Sequence, residues 1–343
     1  MENYNPILLL TYDYEMYLGK SGSIEKCLLE PTDSLLTIFK KNGSSVTFFV
    51  DTTFLLMLKK NGNKNDFDCI SNQLKRIIED GHRIELHIHP HWIDAQYDQI
   101  KKEWTFPTYR YYKHENVPIE ILENLFIEGA EILLKIGKSV DSNYQLIAFR
   151  AGGWCLEPFE KIRNFLIECD IKVDSSVLPG FINNHSIANY DYSNIFTSKP
   201  YYFDYSIYEN KSKGSFLEIP ISVTSVNFIQ RFKRKIEIRS NPKMSKCIGD
   251  GKSIFETIKI RKNEILKNYL EKLRTHNDVV SLDGYINDNS FTNLNNENKL
   301  ITAVGHPKSQ TKQSLLITDK ISRDQRFKCI TIYDFFSHYN AKE

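Results

Sequence analysis

The sequence predicts an α/β protein built on parallel strands. Short apolar runs alternate along the chain with longer segments whose apolar residues recur at helical spacing, which is the pattern of repeated strand–helix units. The length of 343 residues fits either two domains of ordinary size or one large α/β barrel. Hydrophobic residues make up 41% of the chain and charged residues 26%, so a packed core is available and intrinsic disorder is not indicated.

The elements follow one another in a regular order. The predicted strands are short apolar runs at residues 6–12, 45–50, 82–87, 145–149, 171–174, 216–221 and 300–304. The predicted helices are amphipathic and cover residues 31–41, 68–80 and 118–138, with another starting at Glu157-Pro158, since proline is favoured in a first turn. Residues 92–114, 177–253 and 284–299 interrupt this rhythm. We expect the first two of these segments to be loop insertions and the third to be an Asn-rich loop.

Charge and cysteine usage exclude several classes of protein. Lys and Arg number 45 against 43 Asp and Glu, a net charge of +2, which argues against a protein that reads nucleic-acid phosphates. The six cysteines are scattered and form no CxxC pair, as expected for reduced thiols rather than a disulfide scaffold or a structural zinc site. No apolar run is long enough for a membrane span or a signal peptide. We therefore expect a cytoplasmic protein.

The third predicted strand ends in three histidines within five residues. In an extended chain His87, His89 and His91 point to one side, whereas a turn near Pro90 would let His87 and His91 converge. Neutral imidazole is the commonest ligand of zinc-like metals. The pattern therefore favours a metal site over a polar strand end with ordinary hydrogen bonds.

Two carboxylates stand at the end of the first predicted strand. Asp13 and Glu15 are two residues apart, so they project the same way if the strand continues. Sites of parallel α/β proteins gather at the carboxyl ends of strands, and a catalytic metal needs an anionic ligand and a position for water. The alternative is that Asp13 caps a helix.

Six short segments follow one another between residues 7 and 307 and together form a series of motifs. They are Thr11-Tyr12-Asp13-Tyr14-Glu15, Val46-Thr47-Phe48-Phe49-Val50, Gly81-His82-Arg83-Ile84 followed by His87 and His91, Phe149-Arg150-Ala151-Gly152-Gly153, Asp174-Ser175-Ser176 and Gly305-His306-Pro307. In this order they resemble the motifs of polysaccharide deacetylases (carbohydrate esterase family 4). The resemblance is to a divergent, cytoplasmic member of the surface-polysaccharide biosynthesis type. It implies a distorted (β/α) barrel with loop insertions, forming a single catalytic domain over residues 1–343.

The resemblance also implies the roles of the site residues. Glu15, His87 and His91 would hold a divalent metal, with zinc first and Co, Ni, Fe or Mn as alternatives. Asp13 would be the general base, and the two carboxylates could be exchanged. Tyr14 stands where the family has its second aspartate, and Gly152 replaces the proline of the third motif.

The remaining site residues follow from the later motifs. His306 would protonate the leaving amine, and Arg150 would orient Asp13. Asp174 would support Arg150 or His306. The structural alternatives are an ordinary ion pair for Arg150 and for Asp174, and a strand-end cap for His306.

The implied function is a metal-dependent hydrolase that removes an N-acyl group, in the first place N-acetyl, from an amino sugar in a precursor of surface polysaccharide. One alternative is a deformylase or small-amide hydrolase that uses the same site. The other is a degenerate protein that binds a glycan without hydrolysing it. In each case no nucleic-acid partner is expected.

Two further segments carry open interpretations. Residues 92–114 hold seven aromatic side chains, which suit either a sugar-binding wall or a small core. Residues 226–238 form a basic amphipathic segment. Such a segment could contact an anionic membrane peripherally or hold a pyrophosphate-linked glycan. The alternative is a solvated surface helix.

Overall fold

The computed structural model describes residues 5–61, 63–257, 276–284 and 300–340. Its centre is a mainly parallel sheet of nine strands drawn from both ends of the described chain. The strands of this sheet are β1 (Ile7–Tyr14), β3 (Thr47–Asp51), β4 (Arg83–Ile88), β7 (Ala148–Ala151), β8 (Val173–Asp174), β11 (Tyr201–Phe203), β12 (Phe216–Glu218), β16 (Leu300–Gly305) and β17 (Lys328–Cys329). Their order across the sheet is β11-β12-β8-β7-β4-β3-β1-β16, with β17 also paired to β1.

Shorter strands lie outside the main sheet in four pairs. They are β2 (Gly19–Lys20) with β14 (Lys252–Ser253), β5 (Gln96–Asp98) with β6 (Glu103–Thr105), β9 (Ile182–Asn183) with β10 (Tyr190–Asp191), and β13 (Val223–Val226) with β15 (His276–Val279). The helices are α1 (Glu30–Asn42), α2 (Thr52–Lys60), α3 (Lys64–Glu79), α4 (Ile119–Lys138), α5 (Glu160–Glu168), α6 (Phe228–Ser240), α7 (Pro242–Ser245), α8 (Ile254–Thr257), α9 (Lys312–Ser322) and α10 (Ile332–Asn340).

The sheet curls toward closure through irregular backbone contacts. After β12 the chain reaches Ser222, whose N–H donates to the carbonyl of Thr302 on β16 at 2.9 Å. The segment around Val280 is inserted beside this contact, since the N–H of Val280 donates to Ser222 and the N–H of Val304 donates to Val280. The two ends of the sheet are thus joined without a continuous ladder, and the predicted distorted (β/α) barrel is confirmed.

Buried strands read as apolar runs because both of their faces are covered. All residues of β3 are buried, and so are all but the first residue of β1. Helices α1 and α4 bury a single apolar stripe each against the sheet, including Leu35 and Phe39 on α1 and Phe126 on α4. None of the described helices has both the length and the apolar character that crossing a bilayer would require.

The predicted insertions contain more regular structure than we expected. Residues 92–114 hold the β5–β6 hairpin, and their aromatic rings pack together around the buried Trp92 and Trp104. Residues 177–253 include β11 and β12, which belong to the main sheet, as well as α6. The predicted Asn-rich loop at residues 284–299 lies, apart from Gly284, outside the described residues.

Candidate active site

The candidate site lies at the carboxyl ends of β1, β4, β7 and β16. Parallel strands all end at the same edge of the barrel, so the side chains that follow them face a common space. That space is a cavity of about 310 Å³, whose lining includes Asp13, Glu15, His89, His91 and His306. Five of the eight candidate residues therefore meet here. The eight are Asp13, Glu15, His87, His89, His91, Arg150, Asp174 and His306.

The end of β1 sends alternate side chains in opposite directions. Asp13 and Glu15 both face the cavity and are both buried. Tyr14 between them turns the other way, and its hydroxyl donates to Gln73 Oε1 at 2.8 Å. The tyrosine that departs from the family pattern is therefore a core residue, and the strand continues as the spacing of the carboxylates predicted.

Arg150 holds Asp13 from behind. Its Nη1 donates to Asp13 Oδ1 at 2.6 Å, and its other donors go to the carbonyl and hydroxyl of Ser175. The guanidinium is fully buried and lies over the ring of Phe49 at 4.1 Å. This contact directs one oxygen of Asp13 away from the cavity.

Glu15, His87 and His89 form the tightest group of potential metal ligands among the described residues. Their donor atoms all lie within 4.8 Å of one another. Glu15 Oε2 is 3.1 Å from His87 Nε2 and also contacts His89 Nε2. His87 Nδ1 lies 2.7 Å from the backbone carbonyl of Arg150. Because a carbonyl only accepts, Nδ1 carries the hydrogen and Nε2 faces Glu15. Burial alone would lower the pKa of His87, but Glu15 and the other nearby carboxylates raise it.

The third histidine, His91, lies beside this group rather than in it. Its ring is 4.9 Å from the ring of His89 and stacks on Tyr112. Both of its ring nitrogens are buried without a hydrogen-bond partner in the described part of the chain. The sequence predicts His91 as the ligand beside Glu15 and His87. In the structure His89 lies nearer to Glu15 than His91 does.

Gly152 makes room for His89 in this position. A Cβ at Gly152 would lie 2.5 Å from the carbonyl oxygen of Ile88 and 2.6 Å from His89 Nδ1. Real Cβ atoms do not approach so closely, so any larger residue would displace the imidazole or the end of β4. The glycine that replaces the proline of the family motif thus correlates with the placement of His89.

The donor set fits a divalent metal of the zinc type. A carboxylate oxygen and imidazole nitrogens converge, and such lone pairs repel one another unless protons or a cation lie between them. Burial and the neighbouring His89 hold the pKa of His91 well below its usual value, so His91 remains a neutral donor. Burial opposes the charged form of Glu15, but Lys308 and His89 outweigh it and hold its pKa well below the usual range.

Lys308 is a cation that stands in none of the motifs of the sequence. Its Nζ donates to Glu15 Oε1 at 2.7 Å and to the carbonyl of Met16 at 2.8 Å. One oxygen of Glu15 is therefore occupied by the ammonium, and the other faces the histidines. Lys308 stands two residues after His306, and this proximity to a predicted site residue is the one sequence signal that it offers.

His306 faces the carboxylates from the end of β16. Its Nε2 lies 3.7 Å from Asp13 Oδ2 and 3.5 Å from Glu15 Oε1. Asp283 accepts from both the backbone N–H and the Nδ1 of His306, at 2.6 and 2.5 Å. Burial alone would lower the pKa of His306, but Asp283 and the facing carboxylates raise it to about 9.

Asp174 feels the charge of Arg150, which lowers its pKa, but its hydrogen bonds within the described residues go elsewhere. Its carboxylate accepts from the N–H and hydroxyl of Ser176 at 3.1 and 2.8 Å, and it shares a hydrogen bond with Glu218. The reason is the register of the sheet, in which Asp174 on β8 stands directly beside Glu218 on β12. Burial raises the pKa of Asp174 to about 6, and burial together with the neighbouring Asp174 holds the pKa of Glu218 well above its usual value. Asp283 supports His306 instead, and Ser175 supports Arg150.

Aromatic side chains form part of the cavity wall. Tyr112, Trp154 and Phe255 all line it, and the rings of Tyr112 and Phe255 meet edge to face at 6.0 Å. Trp154 has a positive φ of 59°, which is uncommon for a residue with a side chain, and its carbonyl accepts from the Tyr192 hydroxyl. The aromatic stretch at 92–114 is thus mostly a packed cluster, and its Tyr112 also reaches the cavity.

Comparisons with known proteins find solved structures that are similar to this chain at low sequence identity. No known family's sequence profile and no curated protein matches the chain. A provisionally assigned polysaccharide deacetylase from Mycobacterium smegmatis is 10% identical, with 100% of this chain and 93% of that one covered and a TM-score of 0.47. A 4-alpha-glucanotransferase from Thermococcus litoralis is 11% identical, covering 97% and 40%, with a TM-score of 0.46. A polysaccharide deacetylase from Bacillus cereus is 9% identical, covering 95% and 91%, with a TM-score of 0.40. At these identities and TM-scores the activity has to be inferred from the residues of the site.

Proposed function

We propose that this chain is a metal-dependent hydrolase that removes an N-acyl group from an amino sugar. The observation that carries the proposal is the joint placement of three features around one cavity: a carboxylate–histidine group at Glu15, His87 and His89, an arginine-held Asp13, and His306. Amide hydrolysis needs an activated water, a base that takes its proton and an acid that protonates the departing amine. Each of these requirements has a candidate residue here.

Glu15, His87 and His89 would hold the metal, with His91 close enough to replace or join one of the histidines. A bound divalent cation of this type supplies Lewis acidity, which lowers the pKa of water and polarises a carbonyl group. Zinc is the first candidate because two imidazoles and one carboxylate with an open position are typical of catalytic zinc sites.

Asp13 would take the proton of the attacking water. Arg150 occupies its Oδ1, so Oδ2 is the oxygen that faces the cavity and remains able to accept. His306 lies across from it with Nε2 directed inward, because Asp283 accepts from Nδ1. This geometry suits His306 as the donor of a proton to the leaving nitrogen.

An acylated amino sugar is the substrate class that the cavity walls favour. Tyr112, Trp154 and Phe255 offer flat apolar rings beside the polar centre, and rings of this kind pack against the C–H faces of sugars. None of the six cysteines, all of which lie within the described residues, forms a disulfide, which agrees with a reducing, cytoplasmic compartment. We therefore propose a cytoplasmic precursor of surface polysaccharide as the physiological substrate.

Metal content and acid release together test this function. The purified full chain is analysed for bound divalent metal, and the loaded protein is incubated with acylated amino sugars and their nucleotide-linked forms. We expect stoichiometric metal and release of acetate, with formate identifying a deformylase. Asp13→Asn and His306→Gln should keep the metal and lose about 10²–10⁴-fold of the rate. Asp94→Asn, which alters a surface carboxylate bonded to Arg110, serves as the matched control.

One observation favours a second candidate, a glycan-binding protein without hydrolysis. The ammonium of Lys308 lies 2.7 Å from Glu15 Oε1 and is a counter-ion that requires no metal. A protein that binds acylated sugars but takes up no divalent metal, and releases no acid with metal added, would refute the hydrolase and favour this candidate.

A further inference from the structure

Helix α6 has its apolar side chains on the outside. None of its 13 residues is buried. Its larger apolar residues are all substantially exposed, namely Phe228 (47%), Ile229 (64%), Phe232 (56%), Ile236 (48%) and Ile238 (37%). A surface helix normally turns such residues toward the core and exposes its charges. The interpretation of residues 226–238 as a plain solvated surface helix therefore does not explain this arrangement.

Four of these five exposed residues form one stripe along the helix, and Ile238 lies outside it. At about 100° per residue, Phe228, Ile229, Phe232 and Ile236 fall within an arc of about 100°. The rings of Phe228 and Phe232 lie one turn apart and are nearly parallel, with centroids 6.2 Å apart. The stripe is thus a continuous apolar surface on the outside of the protein.

Basic residues lie on both sides of this stripe. At about 100° per residue, Arg231 and Lys235 lie beyond one side and Lys233 beyond the other. Arg239 closes the C-terminal end of the stripe, and Arg234 lies on the opposite side of the helix, 3.5 Å from Asp278. Helix α6 contains Arg231, Lys233, Arg234, Lys235 and Arg239 against a single acidic residue, Glu237. Lys243 and Lys246 follow within the next turn and loop. The long stems of Lys and Arg allow their charges to stay at the polar level while apolar neighbours go deeper.

A capping box stabilises the N-terminus of α6. Asn227 caps it, since its side chain accepts from the N–H of Gln230 at 2.9 Å and the Gln230 side chain accepts from the N–H of Asn227 at 2.9 Å. The chain enters α6 after β13 and comes back to the cavity at Ser253 and Phe255. A surface bound by α6 would therefore be linked through α7 and residues 246–252 to the wall of the active-site cavity.

We propose that α6 docks the protein on an anionic phospholipid surface, with its Phe and Ile side chains in the interfacial layer and its Lys and Arg side chains against the headgroups. An apolar stripe bordered by cations is complementary to a bilayer that carries acidic lipids. A nucleic acid would attract the cations but would leave the aliphatic Ile229 and Ile236 exposed to water, and a protein partner would not require the excess of positive charge. The proposal is independent of the metal site and of the hydrolase activity.

Vesicle flotation of the full chain tests the docking. One set of vesicles is made of phosphatidylcholine alone. In the second set, phosphatidylglycerol replaces part of the phosphatidylcholine. We expect at least tenfold stronger partition onto the phosphatidylglycerol vesicles and a loss of binding as the salt concentration rises. Lys233→Gln/Lys235→Gln should weaken partition about 30-fold, because each basic residue near the surface contributes about fivefold.

Phe228→Ser/Phe232→Ser tests the apolar part of the same surface. Both side chains are about half exposed, so the variant should fold, which its circular dichroism and melting temperature verify. We expect it to lose vesicle binding and to keep its metal content. Phe196→Ser is the matched control, because Phe196 is 86% exposed but belongs to the 177–253 region outside α6. Equal partition onto both kinds of vesicle, or full binding by the double serine variant, would overturn the proposal, as would retention by single-stranded RNA or a second protein in place of lipid.

Discussion

Replacing Arg150 with methionine is the sharpest test of the buried network behind the site. The guanidinium is 0% exposed and makes four hydrogen bonds, at 2.6 Å to Asp13, 3.0 Å to Thr11, and 2.6 and 3.0 Å to Ser175. The substitution removes the cation that is hydrogen-bonded to the buried Asp13 and leaves His306, 3.7 Å away, as its nearest cationic neighbour. Breaking a buried ion pair from one side costs about 3–5 kcal/mol, whereas an ordinary exposed pair contributes at most about 1 kcal/mol. We therefore expect a loss of about 4 kcal/mol in the free energy of unfolding.

The measurement is urea denaturation of the metal-free protein, with chelator present so that metal binding does not contribute. The midpoint should fall while the slope stays unchanged, since the folded state keeps its compactness. Asp13→Asn removes the negative charge that Arg150→Met leaves unpaired. The double variant should consequently be more stable than the sum of the two single effects predicts, by about 2 kcal/mol.

Two outcomes would contradict this reasoning. A loss below about 1 kcal/mol for Arg150→Met would mean that the pair behaves like an exposed one. Strict additivity in the double variant would mean that Arg150 stabilises the barrel without acting on Asp13. Arg150→Lys separates charge from geometry, because a lysine cannot reproduce the planar fork that reaches Asp13 and Ser175 together.

Three further predictions concern the histidines. His89→Ala should weaken Zn²⁺ affinity at least 100-fold in a competition titration with a chelator, and His91→Ala by less, because His89 is the nearer donor to Glu15; the reverse order would restore the predicted ligand set. Gly152→Ala should also weaken Zn²⁺ binding, about tenfold, and lower the melting temperature, since its Cβ would lie 2.6 Å from His89 Nδ1; unchanged affinity would show that the loop adapts. Burial lowers the pKa of His82 to about 4, so the unfolded chain binds a proton that the folded one does not, and stability from this residue falls as the pH drops from about 6.5 to 4. The wild type should therefore lose about 1.4 kcal/mol per pH unit relative to His82→Asn over that window, measured as the difference between their urea curves; a constant difference would refute the shift.

Local pattern was enough to locate the strands that carry the site. The predicted strands at 6–12, 82–87, 145–149 and 300–304 overlap β1, β4, β7 and β16. The physical reason, clearest in β1, is that a strand buried on both faces is largely apolar and stands out from its surroundings. In 82–87 only Ile84 and Leu86 are apolar, and they alternate with polar residues. Helices α2, α9 and α10 were not predicted. Thr52–Lys60 in α2 follows β3 with no turn signal between them, since Asp51 both ends the strand and caps the helix.

The site residues also divide into those that local sequence patterns predict and those that they do not. Asp13, Glu15, His87, Arg150 and His306 stand in recognisable local motifs at strand ends, and the structure brings them to one edge of the barrel. Asp283 and Lys308 carry no such motif. Asp283 lies 23 residues before His306 and meets it because the segment around Val280 is inserted beside β16, a pairing that no local pattern reveals.

The sequence by itself determined the α/β alternation, the order of the strands along the chain and the identities of the groups available for catalysis. These depend on residue type and spacing, which are local properties. Only the tertiary structure decided which groups meet. It turned Tyr14 into the core, brought His89 rather than His91 next to Glu15, and gave Asp174 to Glu218 instead of His306. Those outcomes depend on sheet register and on the space left by Gly152, both of which arise only when distant segments pack against one another.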